Sequence, residues 1–193
     1  MTKKPEILNE EYLVQRKNGL RYKKYAKGPF TGIVLSFHQN GLLKSRVKYI
    51  YGRPPGPNVE FLEEECPNLY EEFNEKGQLI QAGNYNQEGN SLSILFNEEG
   101  EIDLRVTYFK KNKPNTRLIE SFNKGYLESR VTYYPDARRL RIKHGLEETY
   151  YENGQLRLKS HWKNGKLHGL NEYFDEQGNL TKSETWENEK LIK

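Results

Sequence analysis

A single cysteine, Cys66, stands among 193 residues, so no disulfide can form within the chain. Aliphatic bulk is also scarce. Hydrophobic residues make up 34% of the sequence, below the roughly 45–50% of an average globular domain when glycine is counted with them. A thick, many-layered core is therefore unexpected. No apolar run approaches the ~20 residues that span a bilayer. The opening MTKKPEILNEEYLV lacks the apolar stretch of a signal peptide, and the expectation is a soluble, cytoplasmic protein. Neither charge sign dominates: 31 basic and 27 acidic residues leave +4. Nucleic-acid binders gather Lys and Arg on one face, and anionic lipid recognition needs a dense basic patch. Neither partner is expected.

Catalytic signatures are missing as well. The sequence has no H-E-x-x-H, paired-Cys zinc site, phosphate loop or nucleophile elbow. Cys66 lies between Glu65 and Pro67, where acidic neighbours raise a thiol pKa and disfavour the thiolate. His144 and His168 both precede Gly-Leu, ten residues before a repeated glycine, so repeat position explains them. His38 falls in a turn and His161 beside a repeated aromatic. The expectation is no enzyme, no metal and no cofactor.

What is present is a repeat. Gly41, Gly77, Gly100, Gly125, Gly154 and Gly178 serve as origins. Two residues after each comes Leu43, Leu79, Ile102, Leu127, Leu156 or Leu180. Eight after comes Tyr49, Tyr85, Tyr108, Tyr133, Trp162 or Trp186. Four before lies Phe37, Phe73, Phe96, Tyr150 or Phe174, with Phe122 three before Gly125, so that turn is one residue shorter. Eight before lies an aliphatic such as Ile33 or Leu92. Even spacing means strand: Ile102, Leu104, Val106 and Tyr108 alternate with Asp103, Arg105 and Thr107. Each unit reads as two amphipathic strands. Polar turns ending in glycine suit a type I turn followed by a left-handed residue, and Asn74, Asn97 and Asp175 can bond the backbone ahead. KNGK at 163–166 and ENEK at 187–190 read as the return turns.

The segment YYENGQLRLKSHWKNGKLHGLNEYFDEQGNLTKSETWENEK resembles the bacterial variant of the MORN repeat (membrane occupation and recognition nexus). Tyr151, Asn153, Gly154, Leu156, Trp162, Asn164, Gly165 and Gly169 carry the resemblance. RKNGLRYKKYAKGPFTGIVLSFHQNGLLKSRVKYIYG resembles the opening of a family of bacterial antitoxin-like proteins built from such repeats, through Asn18, Gly19, Tyr22, Pro29, Phe30, Thr31 and Gly32. The resemblance implies a protein that neutralises a toxic effector by binding it.

The expected fold is all-β: about six MORN-like hairpins within residues 16–191 of a single 1–193 domain, after a 1–15 lead-in. The array should form an elongated, twisted and curled antiparallel meander, since no helix layer covers its apolar face. Insertions at 50–68 and 134–144 interrupt it. Every long connection falls on the turns between hairpins, which in a meander share one edge. In repeat proteins such an edge is often the binding one. It carries Tyr51, Arg53, Phe61, Glu63, Glu64, Glu65, Tyr134, Arg138, Arg139 and Arg141, and aromatic and Arg side chains are preferred interface anchors. A second candidate is an apolar patch of Tyr70, Ile80, Ala82 and Leu95 on the otherwise polar face. The expected function is a protein-binding antitoxin or immunity protein that occludes a cognate toxin, its partner encoded nearby. The alternatives are a scaffold or assembly module and, behind it, a peripheral membrane or phosphoinositide-binding module.

Overall fold

The computed structural model describes residues 5–54, 70–85, 91–109, 116–135 and 141–193. Well over half of them are in strands, and among them the only helical segment is a 3-10 turn at Glu10–Tyr12. The chain forms two compact units, Met1–Gly100 and Glu101–Lys193.

The first unit holds β1 (Ile7–Asn9), β2 (Leu13–Gln15), β3 (Arg21–Lys23), β4 (Gly32–Phe37), β5 (Leu43–Tyr49), β6 (Tyr70–Phe73), β7 (Leu79–Tyr85) and β8 (Ser91–Phe96). Strands β4 to β8 pair antiparallel in chain order. The lead-in departs from a pure antiparallel meander, because β1 adds to β4 in parallel, with Leu8 opposite Val34. Strands β2 and β3 form a separate hairpin. Leu13 and Phe30 pack with Val34 in a buried cluster flanked by Leu8 and Tyr49, so the lead-in closes the apolar face of the first repeat.

The second unit holds β9 (Ile102–Phe109), β10 (Thr116–Asn123), β11 (Tyr126–Pro135), β12 (Arg141–Tyr150), β13 (Leu156–Lys163), β14 (Lys166–Leu167), β15 (Gly169–Phe174), β16 (Leu180–Glu187) and β17 (Lys190–Leu191). It too is an antiparallel meander, with β14 and β15 both laid along β13. Ile119 and Val131 are buried cross-strand partners.

The turn chemistry explains the repeat. All six origin glycines have φ between 79° and 84°, a region that costs other residues strain. In five turns the glycine N–H donates to the carbonyl three residues earlier, at 2.9–3.1 Å. The Asn74 side chain accepts from the N–H groups of Lys76 and Gln78, and Asp175 accepts from Gln177 and Asn179. The shorter fourth turn puts both Lys124 and Gly125 at positive φ, the mirror-image geometry of two-residue hairpins.

A bulge accompanies these turns, and it corrects the simple alternation of faces. The register shifts between Ser36 and Phe37, and at the same place in the hairpins of Phe73, Phe122, Tyr150 and Phe174. The extra residue lies on the strand that leaves the turn, and it resets the parity of that strand against the incoming one. Val34, not Ile33, therefore sits opposite Val47, and Ile33 pairs with Lys48 on the other face.

Candidate protein-binding surface

In each unit the meander sends the connections between hairpins to one edge and the glycine turns to the other. Tyr51 and Arg53 stand on the first kind of edge. Ile50 and Arg53 bond each other through both N–H groups at 3.0 Å, so Tyr51 and Gly52 form a two-residue turn. Gly52 is clamped: its N–H donates to Phe30 O at 2.7 Å, and its carbonyl accepts from Arg21 N–H at 2.8 Å. A Cβ there would lie 2.6 Å from Arg21 O, so glycine is obligatory. Tyr51 has φ 46° and its ring is 59% exposed. Its N–H is held by Thr31 Oγ1 at 3.0 Å. The turn is rigid and presents an aromatic ring outward.

Tyr134, on the corresponding edge of the second unit, is used differently. It stacks on His144 with ring centroids 3.8 Å apart, and its hydroxyl meets His144 Nε2 at 2.6 Å. His144 Nδ1 accepts from Asn164 N–H at 3.4 Å, which places the proton of the neutral ring on Nε2. Burial, and then the Lys163 charge, lower the His144 pKa below its usual value. Tyr134 is thus half-buried against its own sheet. Arg141 begins β12 opposite Pro135. Phe61, Glu63, Glu64, Glu65, Arg138 and Arg139 lie outside the described residues, as does Cys66.

The second candidate patch divides. Tyr70 pairs with Gly83 and Leu95 with Gln81, on one face, whereas Ala82 pairs with Glu71 and Ile94 on the other. Tyr70 donates to Glu72 Oε2 at 2.5 Å, and burial together with that carboxylate pushes its pKa up to about 12. The four residues do not form one patch. The bulge that reset the parity separates them.

The polar face carries an ordered arrangement that the repeat positions contain but period-two reading does not single out. Across the second unit the register aligns Arg105, Glu120, Arg130, Glu148, Lys159 and Glu172 on successive strands. Glu120 is only 4% exposed. Arg105 Nε donates to Glu120 Oε2 at 2.6 Å, and Arg130 reaches both Glu120 and Glu148 at 3.6 Å. Basic residues five after the glycine alternate with acids about six before the next, so the signal was in the sequence. In the first unit the same row holds Arg46 and Glu71, paired at 2.6 Å.

The glycine-turn edge has its own ladder. Tyr151 donates to Phe174 O and Asn153 Nδ2 to Glu176 O, both at 2.8 Å. One repeat type recurs at the start of the chain: His38 Nε2 lies 2.8 Å from Phe73 O, and Asn40 Nδ2 2.7 Å from Glu75 O. His161 Nδ1 lies 2.8 Å from Leu170 O. Beside the Tyr151 turn a cavity of about 350 Å³ is lined by Tyr126, Tyr150, Tyr151, Glu128, Arg157 and Thr149, among others.

Some of the residues just described, Tyr150, Tyr151, Asn153 and Arg157 among them, lie within a family match. The MORN repeat variant matches residues 143–164, which cover most of β12, the Gly154 turn, β13 and the start of the return turn. The chain contains a MORN-type repeat. Among curated proteins, none matches the chain. The residues of this chain that carry the MORN resemblance have physical roles here. Tyr151 and Asn153 tie one turn to the next, Gly154 takes the left-handed turn position, and Asn164 and Gly165 form a return turn with φ 53° and 83°. Just beyond the match, Gly169 has φ 108° and brings the backbone so close that a Cβ would sit 3.2 Å from His161 Cβ.

Proposed function

We propose that this chain is a protein-binding MORN-repeat protein that acts as an antitoxin or immunity protein, occluding a toxin encoded nearby and catalysing nothing itself. The observation that carries the binding role is the Tyr51–Gly52 turn: an exposed aromatic at positive φ, flanked by Arg53 and locked to β3 and Phe30 by backbone hydrogen bonds. Strain of that kind tends to be kept where function uses it, and a rigid exposed aromatic loses little entropy when it is covered. The resemblance of residues 16–52 to antitoxin-like repeat proteins supports the toxin as partner. The MORN-type repeat itself supports a second reading, an assembly scaffold, because hairpin ladders extend by neighbour contacts alone.

A calorimetric titration with the purified product of the adjacent gene tests the first reading. Saturable one-to-one binding that abolishes the activity of that product is expected. A neighbouring product that neither binds nor loses activity would leave the scaffold reading.

A further inference from the structure

Among the described residues Tyr25 is the most exposed large hydrophobic residue, at 99%, and its φ is 67°. It occupies the third place of a turn closed by Ala26 N–H to Lys23 O at 3.1 Å. With Lys24 at ordinary φ this is the type II arrangement, in which glycine normally takes that place. The turn is pinned on both sides, by Lys24 N–H to Tyr12 O at 3.0 Å and by Arg16 Nη2 to Ala26 O at 2.5 Å. The ring makes up for none of the strain, since it is wholly in solvent. A residue that strains the backbone and buries nothing stabilises nothing in the free protein, which points outward to a partner.

Tyr25 and Tyr51 spring from the same knot of backbone. Arg21 bonds Phe30 and Gly52, and Gly52 bonds Phe30. Lys17, Lys24 and Lys27 lie in the same stretch of chain as Tyr25, and Arg53 follows Tyr51 by two residues; all four are exposed and none is in an ion pair with a described residue. From Tyr12 to Val59 the sequence has ten basic residues and no acidic one. Glu6 and Glu10, which pair with Lys23 and Arg21, stand beside the site. Each balances its partner, so the remaining cations stand as separate points, which suits spaced carboxylates better than a continuous phosphate backbone or an anionic membrane.

We infer that the β2–β3 hairpin and the Tyr51 turn together form a docking surface for an acidic protein segment, with Tyr25 and Tyr51 as its aromatic anchors. The inference rests on the protein-binding reading and names the chemistry of the partner. Cations steer and orient the acidic chain, and the tyrosines supply contact area at small entropic cost.

The test uses the full ¹⁵N-labelled chain and a short synthetic peptide of Glu, Leu and Gly, with oligothymidylate and phosphatidylserine-containing vesicles in parallel arms. Peptide-induced amide shifts should concentrate at residues 16–28 and 50–54. Tyr25→Gly should raise the thermal midpoint yet weaken peptide binding about fivefold or more, as loss of an interface anchor does. Lys24→Glu should weaken binding without raising the midpoint. Shifts elsewhere, equal binding by Tyr25→Gly, or tighter binding of the oligonucleotide or vesicles would overturn the inference. If the neighbouring gene product binds parent and Tyr25→Gly alike, the inference fails and the antitoxin reading stands. If that product does not bind at all while the peptide behaves as expected, the antitoxin reading fails and the docking surface stands.

Discussion

The hydroxyl of Tyr151 donates to the carbonyl oxygen of Phe174, 2.8 Å away, and so ties one turn to the next hairpin. Asn153 repeats the device two residues on, and His38 and Asn40 repeat it in the first unit. In a single-layer array with few fully buried side chains, such turn-to-turn bonds carry weight that a thick core would otherwise supply.

Tyr151→Phe removes the donor and keeps the ring. It should destabilise by about 1 kcal/mol, the usual net worth of such a bond. Asn153→Ala should cost a similar amount. Urea denaturation of both variants checks this, with an unchanged slope against denaturant expected.

Gly154→Val should cost more than ~1 kcal/mol, because a β-branched residue is strained at positive φ. Nothing lies within 4 Å of a Cβ built there, so the loss is backbone strain and not a clash. Gly154→Asn should therefore recover much of it, since Asn tolerates the left-handed region. A thermal melt of the two variants separates strain from crowding.

Glu120 is the buried member of the charge row, its side chain 6% exposed, between Arg105 at 38% and Arg130 at 45%. Removing one partner of a fully buried pair costs ~3–5 kcal/mol, but these arginines reach water, which lowers the loss. Glu120→Ala should cost about 2 kcal/mol in chemical denaturation and Glu120→Gln less.

His144 makes stability depend on pH. Burial, then the Lys163 charge, hold its folded pKa below the ordinary histidine value of 6.5. The unfolded chain therefore takes up the proton first as pH falls. The His144 contribution is fully present above that unfolded value and is lost as pH drops through the lower folded one. The thermal midpoint should fall between about pH 7.5 and about pH 5 more steeply in the parent than in His144→Phe.

The glycine origins made the hairpins legible, because a left-handed turn position leaves few residues to choose from. Asn74 and Asp175 announced their own turns by the same logic. The faces were less legible. A bulge after the glycine adds one residue that no count of alternation detects, so Ile33 and Val34 exchange places and Tyr70 separates from Ala82. The parallel docking of Leu8 on Val34 was also hidden, since a three-residue strand leaves no periodic signal. Of the candidate site, Tyr51 and Arg53 stand exposed as their insertion suggested, whereas Tyr134 is occupied by His144. Tyr25 is not legible, because nothing in KKYAKG marks its tyrosine as taking a glycine conformation.

The proposed specificity for a protein partner resides at the edge where Tyr51 begins the longest insertion. Replacing residues 53–65 with a short glycine-containing turn should leave the remaining hairpins folded, since they contact only their neighbours. Calorimetric titration of the parent and this variant with the purified neighbouring gene product is the direct measurement. Kd is expected to rise at least tenfold, or ~1.4 kcal/mol, with the melting transition retained. An unchanged Kd would contradict it.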